Sequence, residues 1–414
     1  MSIELLCLLA FLWCLIMYHH LVYPIILLEI LKRHPTPLPR VKEREGPVTD
    51  PERSREVTQD NVENLSICIL VPAFNEAAVL ADKIRNVACL DYPANKLRLI
   101  IACDGCSDNS ANIARQTALE IENSALTIDV LEFEENRGKV ALLNTLIPQI
   151  ESDIVALSDA SALISIDGLK IANRHFDIPS VGVVAATYQL LNPGSKGEQK
   201  YWQYQVDVKK GEAAIGSPIG VHGALYFFRR ELFTPLPPQI INDDFILPMH
   251  IVAQGHKAIY ATDLIALELE RASLDMDQKR RIRIAAGNLQ QLLFLPNLLL
   301  PKHGGTAFSF FSGKALRALM PMILVFQLAI CLCLAVESTL FLLISSLQIL
   351  GILSARLSLL IPNFGNNKQT IIKPFILIFY LINGYFSGLI GTLRYLFGLE
   401  RGCWKSVSKE DSPS

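Results

Sequence analysis

Two long apolar runs bracket this chain and decide what it can fold into. Residues 3–31 are nearly all apolar, enough to cross a hydrocarbon core of about 30 Å as one helix. A second apolar region starts at residue 316 and extends to about residue 398, and between the two the pattern is ordinary globular alternation. A cleaved signal peptide fits the first run poorly. Its start, MSIE, has no basic region, and no small-x-small cleavage site follows. Lys32, Arg33, Arg40 and Lys42 come directly after it. The positive-inside rule then places the middle of the chain in the cytoplasm, beneath an inner or plasma membrane. His19, His20 and Glu29 interrupt the first run; the two histidines read as facing a partner helix or a polar cavity.

The C-terminal region divides into candidate spans at 319–336 and 338–353, parted at Glu337, and a third at about 372–396. Glu337 reads most simply as a turn at the interface. One N-terminal and three C-terminal spans would leave the tail outside, whereas Arg394, Arg401 and Lys405 favour a cytoplasmic tail. These two signals disagree.

The middle of the chain alternates between two periods. Apolar runs near 66–72, 97–103, 127–133 and 153–158 read as buried strands, with helical patterns at 76–89, 109–122 and 138–149 between them. That alternation predicts βαβ units and a mainly parallel sheet. A strand at 219–228, a helix at 244–254 and a strand at 257–262 extend it. Residues 35–64, rich in proline and charge, read as a linker. Residues 278–300 begin basic (QKRRIR) and turn apolar, the pattern of a helix lying at a membrane interface, with a core helix as the alternative.

Charged residues recur where the strands end. The segments are VPAFNE (71–76), CDGCSDNS (103–110), ENRGK (135–139), LSDAS (157–161) and INDDF (241–245). In an open α/β sheet these ends form one edge, where ligands bind. Such an edge can hold a base, a ribose, a diphosphate and a metal in turn. A net charge of −2, with no basic run interleaved with aromatics, gives no support for nucleic-acid binding. The nine cysteines are scattered, and Cys103 and Cys106 form a lone C-x-x-C without a second pair of ligands. Each acid also has an ordinary structural reading. Glu76 could sit in the first turn of a helix, Asp108 and Ser110 could cap one, and so could Asp243 and Asp244.

The ordered set of motifs resembles the family 2 glycosyltransferases, in the membrane-associated branch that includes polysaccharide synthases and ceramide glucosyltransferases. The resemblance runs from about Ser66 to Trp404 and implies a GT-A-type nucleotide-sugar-binding domain, α/β with a mainly parallel sheet, flanked by transmembrane helices. It implies that Pro72, Glu76, Asp104, Lys139 and Asp159 hold the nucleotide-sugar donor. Asp159 and Ser161 would bind Mg²⁺ or Mn²⁺, with Ser161 standing where the family's Asp-x-Asp motif has its second acid. Asp244 would be the general base, with Asp243 beside it. Gly223, Gln278 and Arg281 would face the acceptor or product. Gln278 and Arg281 match a Gln-x-x-Arg-Trp motif whose Trp is Ile282 here.

The expected organisation is an anchor at 1–34, a linker at 35–64, a GT-A domain at 65–275, an interfacial segment at 276–315, membrane helices at 316–398 and a tail at 399–414. The expected activity is inverting transfer from a nucleotide diphosphate sugar, most simply a UDP-sugar, to a lipid or lipid-linked glycan. A processive polysaccharide synthase is the enzymatic alternative. A non-catalytic membrane partner of a transferase is the alternative of another class.

Overall fold

The computed structural model describes residues 2–33, 64–121, 126–191, 196–269, 274–358 and 373–400. Most of the expected linker, with Arg40 and Lys42, lies outside the described residues, as do Arg401, Lys405 and the side chain of Gln278.

Among the described residues, eight strands form one sheet: β1 (Ile67–Ala73), β2 (Leu97–Asp104), β3 (Thr127–Phe133), β4 (Ile154–Ser158), β5 (Ala162–Ile164), β6 (Val181–Leu190), β7 (Leu225–Arg229) and β8 (Lys257–Glu268). Their order is β3-β2-β1-β4-β7-β6-β8-β5. The first four strands run parallel to one another, β7 runs antiparallel between β4 and β6, and β6 and β8 are again parallel. The sheet is mixed and its first half, β1 to β4, is parallel, as the alternation predicted.

The unbroken apolar sequence of β1 follows from burial on both faces. Ile67, Ile69 and Val71 enter one core with Leu80, Ile84 and Val87 of the helix Leu80–Ala88. Cys68 and Leu70 enter the other with Val140, Leu142 and Leu143 of the helix Lys139–Leu146. Pairing of β1 with β4 ends at Leu70↔Leu157, whereas pairing with β2 runs on to Ala73↔Cys103. Pro72 lies just beyond that last β4 pair and has no N–H with which to extend the ladder. The sheet therefore opens beside β1 at its carboxyl edge.

Among the described residues, three helices are long and apolar enough to cross a membrane: Ile3–Arg33, Gly305–Ala335 and Thr339–Ser358. Side chains such as Phe11, Val325, Phe326, Leu343 and Leu347 are exposed on them, an apolar surface that suits lipid. Leu9 and Leu12 of the first helix pack with Ile330, Cys331, Leu334 and Phe341 of the other two. Glu337 lies in the turn between the second and third, where the sequence placed it. A further apolar helix, Lys373–Leu396, lies along the helix Leu274–Phe294. Backbone meets backbone there: a Cβ on Gly391 would stand 2.3 Å from the Ile282 carbonyl oxygen. The basic-to-apolar segment is thus a helix packed between the sheet domain and the apolar helices. Its far side holds the Ile241 loop, where Gln290 accepts the Ile241 N–H and donates to the Gln239 carbonyl.

Candidate active site

The loops after β1 and β2 are tied together by their own side chains. Asn75 adopts a left-handed backbone (φ 58°), and its side-chain oxygen accepts the Ser107 N–H at 2.8 Å. Asp108 accepts N–H groups from Ala77 and Ser110 and the Ser110 hydroxyl. Burial would raise the Asp108 carboxyl, but these hydrogen bonds hold it below the usual range. Asp108 therefore acts as a loop staple, the structural reading of its motif. Glu76 precedes a turn, with Val79 and Leu80 donating to its carbonyl, so the helix starts at Leu80 and not at 76.

Asp104 ends β2 and is fully buried. Its Oδ2 accepts the Gly138 N–H at 2.8 Å, while Oδ1 lies 3.7 Å from the Arg137 Nε and has no hydrogen bond. A buried carboxylate oxygen without a hydrogen-bond donor is costly, and the imide N–H of a pyrimidine base is a donor of the required kind. Gly105 makes this turn possible: at φ +65°, a Cβ there would lie 2.3 Å from the Asn136 nitrogen. Cys103 and Cys106 close the same turn as free thiols, with the Cys106 Sγ donating to the Ala73 carbonyl.

Lys139 begins the helix after β3 and is ringed by acids. Its Nζ stands 3.2 Å from Asp243 Oδ2 and 3.6 Å from Asp159 Oδ1. Burial alone would lower its pKa, but Asp243, Asp159 and Asp244 outweigh that and raise it, so the ammonium stays charged. Asp159 follows β4 with its carboxylate nearly half exposed. Its N–H donates to the Ala224 carbonyl. Among the described residues, no three His, Cys, Asp or Glu side chains gather at metal-ligand spacing. The donor set of Asp159 and Ser161 fits a hard divalent ion only with water and a ligand's phosphate oxygens completing the shell, as Mg²⁺ commonly uses with nucleotides.

Asp243 and Asp244 open the helix Asp243–Ala253, but Asn242 occupies its N-cap position. Asp243 instead reaches Lys139. Asp244 approaches Gly223, where a Cβ would lie 3.0 Å from its Oδ2. Burial, then the Asp243 charge, push Asp244 up to about 6 against the opposing pull of Lys139. A carboxylate so tuned suits proton abstraction near neutral pH.

Several neighbours gave no signal in the sequence. Lys83 is fully buried and donates to the Ser158 hydroxyl at 2.6 Å and the Ala162 carbonyl at 2.5 Å, bracketing the Asp159 turn from beneath. Burial draws its pKa down to about 7 against Asp159 and Glu268. In a sequence it looks like any lysine on an amphipathic helix. Tyr188, Trp202 and His222 form a cluster of rings, with the Tyr188 and His222 centroids 3.8 Å apart. His222 adjoins Gly223, so the cluster lies next to the point where Asp244 approaches that glycine. Its Nδ1 accepts the Ala224 N–H, which leaves the proton of the neutral ring on Nε2. Arg281 donates to the Tyr380 hydroxyl at 2.9 Å and lies over that ring, which joins its helix to Lys373–Leu396.

Comparison with known proteins bears on this arrangement. The chain is 26% identical over 243 residues to the poly-beta-1,6-N-acetyl-D-glucosamine synthase of Staphylococcus aureus (strain COL), covering 56% of this chain and 57% of that protein. It is 28% identical over 169 residues to the beta-monoglucosyldiacylglycerol synthase of Trichormus variabilis, covering 40% of this chain and 36% of that one. The match thus spans little more than half the length of these relatives at most. The fold is also that of a mannosyltransferase from Pyrobaculum calidifontis solved with GDP-Man and Mn²⁺. The TM-score is 0.67 at 21% identity, over 94% of this chain and 99% of that one. The profile described as "Glycosyltransferase like family 2" matches residues 65–287, more than half of the chain and nearly every acid discussed above, and the chain belongs to that family.

Proposed function

We propose that this protein is a membrane-bound inverting glycosyltransferase that moves a sugar from a nucleotide diphosphate sugar, of the UDP class, to a lipid or lipid-linked glycan. One observation carries the reading: a charged Lys139 held among Asp159, Asp243 and Asp244 at the open sheet edge, one loop from the unsatisfied oxygen of Asp104. Asp104 would bind the base. Pro72 and Glu76 border the ribose. Lys139 lies where it can leave its acids and meet the diphosphate. A divalent ion at Asp159 and Ser161 would supply Lewis-acid stabilisation of the leaving group. Asp244 would take the acceptor proton while the acceptor oxygen bonds the anomeric carbon and the nucleotide diphosphate departs with its electron pair.

Lys32 and Arg33 at the end of the first membrane helix support a catalytic domain on the cytoplasmic side, where nucleotide sugars are made. The processive alternative draws on the similarity to the poly-N-acetylglucosamine synthase, with the Tyr188–His222–Trp202 cluster offering rings on which a sugar could stack. A non-catalytic role would give no reason to keep Lys139 and its acids together in a partly buried group.

Metal use tests the donor side. Chelation is expected to stop transfer, Mg²⁺ or Mn²⁺ to restore it, and Asp159→Ala to raise the ion concentration for half-maximal rate by about tenfold or more, equivalent to about 1.4 kcal/mol. Full turnover in excess chelator would contradict this assignment.

A further inference from the structure

We propose that the membrane side of the active site grips a phosphate in the acceptor lipid through Lys314 and Arg317. The inference rests on the glycosyltransferase reading and names the acceptor class: a lipid whose phosphate ester joins a hydroxylated head group to the apolar chain.

A π-helical turn, Phe310–Ala315, introduces the apolar helix that continues to Ala335. It brings Lys314 against the catalytic domain, with the Nζ 4.2 Å from the centre of the Phe245 ring. Phe245 is the residue after Asp244, and the ring is fixed by close approach of Gly220, where a Cβ would lie 2.4 Å from Phe245 Cδ2. Lys314 therefore stands at the floor beneath the proposed base.

The electrostatics there are unbalanced. Among the described residues, neither Lys314 nor Arg317 has a hydrogen-bond or ion-pair partner. The charges that bear most on Lys314 are Arg317 and Lys209, both positive, and then Asp244 and Glu212. Glu212 is already engaged: it pairs with the Lys209 Nζ at 3.1 Å, accepts the Ile219 N–H at 2.9 Å and accepts the Tyr23 hydroxyl at 3.3 Å. The Phe245 ring attracts an ammonium but accepts no ordinary hydrogen bond from it. Ionisable groups in a membrane helix are expensive unless they serve a ligand or a partner. Two cations one helical turn apart present the donors that a phosphate needs, and the Arg317 guanidinium can meet two of its oxygens.

The source of the phosphate follows from position. Arg317 is exposed at the point where the helix becomes apolar, and the exposed side chains beyond it include Leu319, Val325 and Phe326. A head group held there would leave its chain along that surface and its hydroxyl beside Asp244. The reaction stays balanced: the hydroxyl proton passes to Asp244, its oxygen bonds the anomeric carbon, and the lipid phosphate is unchanged.

The test uses the full chain in detergent micelles with a UDP-sugar donor. The acceptors are dioleoylphosphatidylglycerol, a polyprenyl-diphosphate-linked N-acetylglucosamine, and dioleoylglycerol. At least one phosphate-bearing acceptor is expected to outpace dioleoylglycerol by about tenfold or more. Lys314→Gln and Arg317→Gln should each raise its KM by about tenfold or more and leave UDP affinity unchanged as a check on folding, whereas the conservative Lys314→Arg should keep the native KM. A binding arm independent of turnover follows the thermal shift given by dihexanoylphosphatidylglycerol, expected in the native chain and lost in Lys314→Gln. Equal use of dioleoylglycerol, with Lys314→Gln indifferent, would overturn this proposal and leave the transferase reading standing. An equal shift from inorganic phosphate would overturn the lipid assignment. An equal lipid shift in Lys314→Gln would overturn the site even if no donor were consumed, a result that would count against the transferase reading on its own.

Discussion

Asp244→Asn is expected to lower sugar transfer by about 10²–10⁴-fold while sparing donor binding, the usual loss when a general base is removed. The amide keeps the shape of the side chain against Gly223 but cannot take the acceptor proton. A helix-capping role predicts the opposite, because Asn caps about as well as Asp, and the N-cap here is Asn242 in any case. The pH profile gives a second readout. Burial and the Asp243 charge put the Asp244 carboxyl near 6, and only its ionised form accepts a proton. Transfer should therefore fall as pH drops through about 6, and Asp244→Asn should abolish that limb. Near-normal transfer by Asp244→Asn with an inactive Asp243→Asn would make Asp243 the base instead.

Lys139→Met should be nearly as damaging, at about 10²–10³-fold in kcat/KM. The substitution removes the proposed phosphate contact and strands Asp243, whose Oδ2 lies 3.2 Å from the ammonium. Breaking a buried ion pair by deleting one partner typically costs about 3–5 kcal/mol. Lys139 also holds the Asp244 pKa down, so its loss should move the acidic limb of the pH profile to higher pH. Measuring kcat/KM against pH in both chains separates this from simple unfolding, which would scale the rate without shifting the limb. An unshifted limb would mean that Lys139 does not act on the base.

Much of the nucleotide half was legible because its cues are local. Buried strands such as ICIL announce themselves by composition, and the residues at their ends must meet at one edge once the strands are parallel. Asp104, Lys139 and Asp159 are found that way. The helix Gly305–Ala335 was legible as apolar, although it runs back through FFSGKA, where polar and small residues hid the π-helical turn. What stayed hidden depends on packing between distant segments. Lys83 matters only because β4 lies across it, and Tyr188 meets His222 only because β6 and the loop before β7 converge. Arg281 occupies a motif position that the resemblance assigns to the acceptor or product; its guanidinium also lies on Tyr380, and nothing local in QKRRIR announces that partner. Asp108 shows the converse. An acid in a motif can be fully explained by the loop that it staples.

The most direct measurement is donor turnover by the purified full chain, with radiolabelled UDP-sugars and extracted membrane lipids in the presence of Mn²⁺. Release of UDP is expected to match label appearing in a lipid or lipid-linked glycan, with inverted configuration at the anomeric carbon. Both signals are expected to vanish together in Asp244→Asn. No consumption of any nucleotide sugar, or consumption unchanged in that variant, would contradict the transferase reading.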